Sequence, residues 1–283
     1  MPELPEVHTT VEYLRKEILG ERVRDFWSDT PSLLKKPRSR LGFQKELKDR
    51  QIQAVDRRGK YVLFHLSGQK TMAIHQKMTG HLLVGKWKEY QGRWLAKGAL
   101  ADKVNSYIRL IITLGSGRQL ALSDARKFAT VSLLPSIEIE KILRLGPDVM
   151  LVGRNEFIKI LQSRSARLKS LLMNQAVIAG IGNIYSDELL WEAGIHPLRK
   201  AETLTPMDRI KIFEAMRRVI SQGIRLGGTT LQDFRKPDGQ PGGYYPKRNV
   251  YDRENQPCRR DRALIKRIVI GQRSSYFCPK HQK

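Results

Sequence analysis

Hydrophobic positions change period several times along the chain, and each change marks a different element. Val7, Val11, Leu14 and Ile18 fall at i, i+4, i+7 and i+11, the stripe of an amphipathic helix over residues 5–19. Pro5 suits its first turn, where no backbone donor is needed. Between about 21 and 135 the runs shorten into β-rich stretches: Tyr61 to Phe64, Met72 to Ile74, Ile108 to Leu114 and Thr130 to Leu133. Glycines and charged turns separate them, which predicts a sandwich or barrel. Residues 86–104 follow neither period and read as an exposed insertion. From about 137 helical spacing returns, with helices over 155–162, 167–178, 183–193 and 206–226. The last opens on Thr205, Pro206 and Asp208, a Thr-x-x-Asp capping box, and stops at Gly227-Gly228. Residues 229–247 are rich in Gly, Pro and Tyr and read as a loop. Residues 248–283 read as a short strand and a β-hairpin.

Composition narrows the class. The chain has 283 residues, 40% of them hydrophobic, enough for packed cores in one to three domains. With only 2 Cys it is no disulfide scaffold. No stretch of about 18 apolar residues occurs, so no membrane span is expected. Met1 to Glu6 lacks a cationic region followed by an apolar run, so an intracellular protein is expected. The charge points to a partner: 52 Lys+Arg less 28 Asp+Glu leaves +24. Such a field attracts polyanions, of which nucleic acid is the commonest inside cells. A ribosomal surface protein and a binder of anionic membranes remain as alternatives. The basic residues are spread along the chain, which favours a folded basic face over a disordered arm.

Candidate chemistry lies at the N-terminus. Removal of Met1 would leave Pro2 as a secondary amine, and an α-amino group titrates at about 7.7–8.0. A useful fraction is then neutral and able to attack an electrophilic carbon. The product, an iminium ion, is charged without further protonation and is a strong electron sink. Glu3 stands beside it and can give or take protons. The plainer reading is that a proline followed by acids simply makes a good helix entry.

The motifs together are more specific. MPELPEV at 1–7, RRGKYVLF at 57–64, HQKMTG at 75–80, DARKF at 124–128, GPD at 146–148, KSLLMNQAVIAGIGNIYSDE at 169–188, GGTTLQDF at 227–234 and GQRSSYFCP at 271–279 occur in this order. The chain thereby resembles the formamidopyrimidine-DNA glycosylase and endonuclease VIII family of bifunctional repair enzymes, nearly end to end. The resemblance implies an α+β protein acting on damaged double-stranded DNA, as a monomer. Residues 1–136 would be a catalytic β-sandwich with an N-terminal helix. Residues 137–247 would be a helix–two-turns–helix module with a lesion-capping loop, and 248–283 a C-terminal hairpin finger.

The resemblance also implies roles. Pro2 would be the nucleophile, Glu3 the general acid and proton shuttle, and Glu6 a supporting acid. Lys60, Lys169, Asn183 and Arg273 would contact phosphates, Asn183 from the glycine-rich turn Gly180 to Gly182. Met78, Arg126 and Phe128 would fill the void left by an everted base, Arg126 addressing the orphan partner and Phe128 wedging the stack. The family's four-cysteine zinc site is altered here to Cys258, Asp261, Cys278 and His281, with the spacing kept. All four can ligate zinc. A zincless finger, packed through Ile265, Ile268, Ile270, Tyr276 and Phe277, stays open beside it. Asn105-Ser106-Tyr107 is a second departure, where relatives often carry a His-Asp-His-like run. Gly227 to Leu231 resembles the branch that excises oxidised purines such as 8-oxoguanine. An endonuclease VIII-like enzyme for oxidised pyrimidines, or a DNA-binding protein that has lost catalysis, are the alternatives.

Overall fold

The N-terminal stripe becomes α1 (Leu4–Ile18), with Val7, Val11, Leu14 and Ile18 all buried. A computed structural model describes residues 1–283. They pack as two units, one of residues 1–143 with 226–245, the other of 144–225 with 246–283. No helix is long and apolar enough to cross a membrane.

After α1 the first unit runs β1 (Val23–Ser28), β2 (Leu34–Lys36), α2 (Arg40–Leu47), β3 (Ile52–Arg58), β4 (Tyr61–Leu66), β5 (Lys70–His75) and β6 (His81–Gly85). There follow β7 (Lys88–Tyr90), β8 (Arg93–Leu95), β9 (Ile108–Leu114), β10 (Gln119–Ser123), β11 (Thr130–Pro135) and α3 (Ile139–Leu143). One sheet has the order β1-β9-β10-β6 and the other β2-β11-β5-β4-β3. Strand alternation explains how they pack. Leu110, Ile112 and Leu114 on one sheet join Val62, Phe64, Met72 and Ile74 on the other, with the α1 stripe, in a single core. The result is the expected β-sandwich carrying an N-terminal helix.

The insertion is less exposed than its sequence suggests. Its hairpin, β7–β8, projects outward, but Trp87, Trp94, Ala96 and Leu100 cover Leu83, Ile111 and Ala121 on the outer face of the β1-β9-β10-β6 sheet. Trp94 meets Trp27 edge to face, with ring centroids 5.2 Å apart. Its apolar residues are spaced for an irregular cover, so neither helical nor strand period reveals them.

The second unit contains α4 (Arg154–Gln162), α5 (Leu168–Met173), α6 (Asn183–Ala193), α7 (Pro206–Arg225) and a hairpin of β12 (Lys266–Ile270) and β13 (Arg273–Phe277). The Thr205–Asp208 capping box is formed: Thr205 N–H donates to the Asp208 carboxylate at 3.0 Å and Asp208 N–H to the Thr205 hydroxyl at 3.1 Å. The helix expected over 167–178 ends early. Asn174 accepts from Ala176 N–H at 3.0 Å, and the Gln175 amide donates to the Met173 and Ile181 carbonyls. These local bonds compete with continued helix. The short strand expected ahead of the hairpin is a single bridge between Pro257 and Leu264.

Two features distinguish this packing from the three-part sequence division. Segment 226–245 packs with the sandwich, where Glu6 and Asp102 hold it. The hairpin packs with the helices, where Trp191 of α6 lies against Val250, Cys258, Ile265 and Cys278. Glu188, fully buried on α6, accepts from the backbone N–H groups of Asn249, Val250 and Tyr251 at 2.7, 2.9 and 2.9 Å. Replacing Glu188 by Leu leaves those donors without this acceptor and should destabilise the second unit by roughly 3 kcal/mol or more. Urea unfolding of wild type and variant measures the difference.

Candidate functional site

The first unit gathers a group around the start of α1. Glu3 is its N-cap and Pro2 precedes it, both buried, as is Glu6 one turn on. Glu6 Oε2 accepts from Glu3 N–H at 2.8 Å, and Glu6 Oε1 accepts from Thr229 N–H at 2.5 Å. One carboxylate therefore fixes the residue after Pro2 and the base of the 229–247 loop together. The helix N-terminus also favours negative charge there.

Lys60, at the β3–β4 turn, is buried rather than waving in solvent. His75, at the end of β5, lies close enough for the charges of Lys60 and Lys77 to act on it, after burial, which is the larger cause. Together they pull its pKa down to about 3. Its ring meets Tyr61 edge to face, and its Nδ1 accepts from Lys77 N–H at 3.0 Å. The imidazole is thus neutral, with its hydrogen on Nε2.

Met78 and the Arg126–Phe128 pair project from two neighbouring turns. Met78 is 42% and Phe128 49% exposed, and the Arg126 guanidinium lies 4.6 Å from the Phe128 ring centroid. Fully buried Asp124 joins the turns. It accepts from the Thr79 hydroxyl, from Arg126 N–H at 3.2 Å and from Ala129 N–H at 2.8 Å. The three expected void-filling residues are therefore presented by one cross-linked pair of loops.

In the second unit Lys169, Asn183 and Arg273 meet at the β12–β13 turn. Gly271 and Gln272 have φ of +54° and +62°, as a two-residue hairpin turn requires, and leave Arg273 exposed. The Ser274 carbonyl accepts from Lys169 Nζ and from Asn183 Nδ2, both at 3.1 Å. Lys169 differs from the sequence expectation of an outward phosphate ligand. It is 1% exposed, and its ammonium lies 2.7 Å from the Asp187 carboxylate. A buried ammonium keeps its charge only with such a partner.

The finger residues converge as their spacing implies. The ligand atoms of Cys258, Asp261, Cys278 and His281 all lie within 4.8 Å of one another. Cys258 Sγ is 3.8 Å from His281 Nδ1, Cys278 Sγ 3.3 Å from Asp261 Oδ2, and His281 Nδ1 3.0 Å from Asp261 Oδ2. Tetrahedral bonds of about 2.0–2.3 Å place ligands roughly 3.3–3.8 Å apart, so the cluster can hold a metal ion. His281 Nε2 lies 3.2 Å from the Trp191 carbonyl, a partner that orients the ring with Nδ1 toward the cluster.

Known proteins resemble this chain over nearly its whole length. The formamidopyrimidine-DNA glycosylase N-terminal domain model matches residues 1–131, and the formamidopyrimidine-DNA glycosylase H2TH domain model matches 145–235. The chain belongs to the formamidopyrimidine-DNA glycosylase family. The enzyme of that name from Pelotomaculum thermopropionicum is 36% identical over 288 residues, covering 100% of this chain and 99% of the relative. That from Chloroflexus aggregans is 38% identical over 283 residues, covering 99% and 98%. Among solved structures, Lactococcus lactis Fpg bound to DNA containing an abasic site has a TM-score of 0.87 at 26% identity, over 100% of both chains. MutM bound to DNA containing carbocyclic 8-oxo-G has a TM-score of 0.87 at 27% identity, also over 100% of both.

Two residues of this family member escaped the sequence reading. Asp124 stood inside a quoted motif without a role, and only its three donors reveal one. His75 opened another motif, and its neutrality depends on neighbours that the strand pairing supplies. An unfolded histidine takes up a proton near its ordinary pKa of 6.5, while folded His75 does so only at about 3. Stability linked to His75 is therefore complete above pH 6.5 and is lost as pH falls toward 3. Between pH 7 and pH 5 the wild type should lose about 1–2 kcal/mol more than His75→Leu. Denaturant titrations of both proteins at the two pH values test this.

Proposed function

We propose that this protein is a DNA repair glycosylase with AP-lyase activity that excises oxidised purines, among them 8-oxoguanine and formamidopyrimidines. The observation that carries the reading is the buried Glu3–Glu6–Thr229 bridge beside Pro2. It sets a candidate nucleophile, a proton-transfer group and the base of a capping loop in one place. Family membership supplies the substrate class.

The chemistry follows from Pro2 as the mature N-terminus. Its neutral nitrogen attacks C1′ of the damaged nucleotide, the glycosidic C–N bond breaks, and the base leaves with a proton. Glu3 supplies and recovers protons at this centre. The Pro2 nitrogen loses its own proton, the C1′–O4′ bond breaks as O4′ takes up a proton, and the nitrogen becomes an iminium joined to the opened sugar. That cation acidifies C2′, and loss of its proton expels the 3′ phosphate in β-elimination. A further deprotonation expels the 5′ phosphate in δ-elimination. Hydrolysis of the remaining iminium by water returns free Pro2 and releases the sugar fragment as an aldehyde.

Lys60 and neutral His75 are assigned to backbone phosphate, Lys60 through its charge and His75 through its Nε2 hydrogen. Met78, Arg126 and Phe128 occupy the space of the everted nucleotide. Arg273 and Asn183 engage phosphate from the second unit. Lys169 acts one step removed, by holding the Ser274 carbonyl next to Arg273. Residues 1–136, 137–247 and 248–283 divide the work into catalysis, DNA engagement with capping, and the finger. The protein works inside the cell, on DNA.

Zinc is the ion assigned to Cys258, Asp261, Cys278 and His281. Two thiolates, an imidazole and a carboxylate suit it, and when bound it cross-links the open end of the hairpin.

Borohydride trapping on 8-oxoguanine duplexes tests the nucleophile. Pro2→Gly should trap far less, and protein retaining Met1 should not trap at all. Full trapping by Met1-retaining protein, identified by mass spectrometry, excludes Pro2. Elemental analysis tests the ion. Near one zinc per chain is expected, lost in Cys278→Ser and shed as pH falls, because His281 must be neutral and both cysteines thiolate. Zinc-free protein that still cuts lesion DNA establishes a packed, zincless finger.

A further inference from the structure

The insertion at 86–104 has no place in the chemistry above, yet its second half touches the 229–247 loop at two points. Asp102 Oδ2 accepts from Arg235 Nε at 3.3 Å and from Nη2 at 3.1 Å, and the Arg235 side chain is only 13% exposed. Asp102 Oδ1 meanwhile caps the following turn by accepting from Val104 N–H at 3.1 Å. That N–H, with Arg235, keeps the Asp102 carboxyl below its ordinary range, so it stays ionised at working pH. The loop tip is a closed turn, with Gly239 N–H donating to Lys236 O and Lys236 N–H to Gln240 O, both at 2.8 Å. Gly239, at φ +85°, lies so near the Ala99 backbone that a Cβ would come within 2.8 Å of it. On the other side Val84 N–H, on edge strand β6, donates to Pro237 O at 2.9 Å.

The insertion is itself anchored. Trp87, Trp94 and Leu100 pack onto the sandwich, so Asp102 is presented from a fixed platform. Insertion and loop also wall a cavity of about 240 Å³, lined by Thr79, Lys103, Val104, Tyr107, Ala125 and Asp233. Its lining includes neighbours of Met78 and Arg126. The loop is thus tied at its base by Glu6 and near its tip by residues 98–104.

We propose that residues 98–104 are a clamp that holds the capping loop in its working position before DNA arrives, with Asp102, Arg235 and Gly239 as positioning residues. This rests on the proposed glycosylase reading for its consequence. The clamp lowers the ordering cost of loop closure over a damaged base, and preorganisation of this kind favours the step that needs the loop. Base excision needs it. Strand cleavage at an existing abasic site, which has no base to cover, does not.

The test compares wild type, Asp102→Asn, Gly239→Ala, and Asp102→Arg and Arg235→Asp singly and as a double exchange. Asn keeps an acceptor for Val104 while removing the ion pair. Hydrogen exchange of 229–240 is measured in the free protein, single-turnover excision on an 8-oxoguanine duplex, and cleavage of a preformed abasic duplex. Asp102→Asn should speed loop exchange and slow excision roughly two- to fivefold, the size a surface ion pair with one largely buried partner supplies. Gly239→Ala should do more, and the double exchange, which restores the charge pair but not the Val104 cap, should recover part of the loss relative to either charge change alone. Abasic cleavage should stay at the wild-type rate throughout. Unchanged exchange and excision in both Asp102→Asn and Gly239→Ala overturn the clamp, as does equal slowing of abasic cleavage. Wild type inert on both duplexes would instead fail the glycosylase reading, and loop exchange alone would then decide the clamp.

Discussion

A single carboxylate, that of Glu6, is the constraint on which the first unit's site depends. It is 1% exposed and accepts backbone hydrogen bonds from Glu3 and Thr229, residues more than 220 positions apart. A buried carboxylate is tolerable only when such donors replace water, and charge-assisted bonds of this kind are stronger than neutral ones. The close approach also needs Gly228. At φ +79°, a Cβ there would lie 2.8 Å from Glu6 Cγ and Oε1. Gly227-Gly228 therefore does more than end α7. It admits the loop to the helix terminus, so the proposed nucleophile and its cover share one anchor.

The second unit solves a similar problem with two adjacent acids on α6. Asp187 accepts from Lys169 Nζ at 2.7 Å, Ser275 Oγ at 2.8 Å and Tyr276 N–H at 2.9 Å. Burial pushes its carboxyl up to about 6, while Lys169 and the hydrogen bonds pull the other way. Glu188, the next residue, points to the segment 249–251. Successive helical residues project about a quarter-turn apart. One turn of α6 thus grips both the hairpin and the chain that leads to it.

Much of this was legible in the sequence because it follows local rules. The α1 stripe, the α7 capping box and the strands at 61–66 and 108–114 need only periodicity and cap chemistry. The motif resemblance marked Met78, Arg126 and Phe128, and the structure presents them side by side. What was not legible depends on partners distant in sequence. Lys169 reads as a phosphate contact until Asp187 is seen 2.7 Å from its ammonium. His75 is neutral because the folded strands bury it and, to a lesser extent, because Lys77 and Lys60 lie near it. The insertion hides its packing because Trp87, Trp94 and Leu100 cover a sheet without any regular spacing.

The altered ligand set of the finger bears on Arg273 less than its place in the hairpin suggests. Cys258, Asp261, Cys278 and His281 close the open end, beyond the Lys266–Phe277 pair. Arg273 stands at the other end, one residue from the carbonyl held by Lys169 and Asn183 and two from the serine bound to Asp187. At the open end Ile265 is buried against Trp191, whose indole N–H reaches Cys258 Sγ at 3.4 Å. Each end thus has its own attachment to α6. Binding or loss of an ion at this cluster would act on the open end first. The turn that carries Arg273 keeps its buried ion pair and backbone bonds, which is the physical condition under which a finger can drift in its ligands while its arginine stays in place.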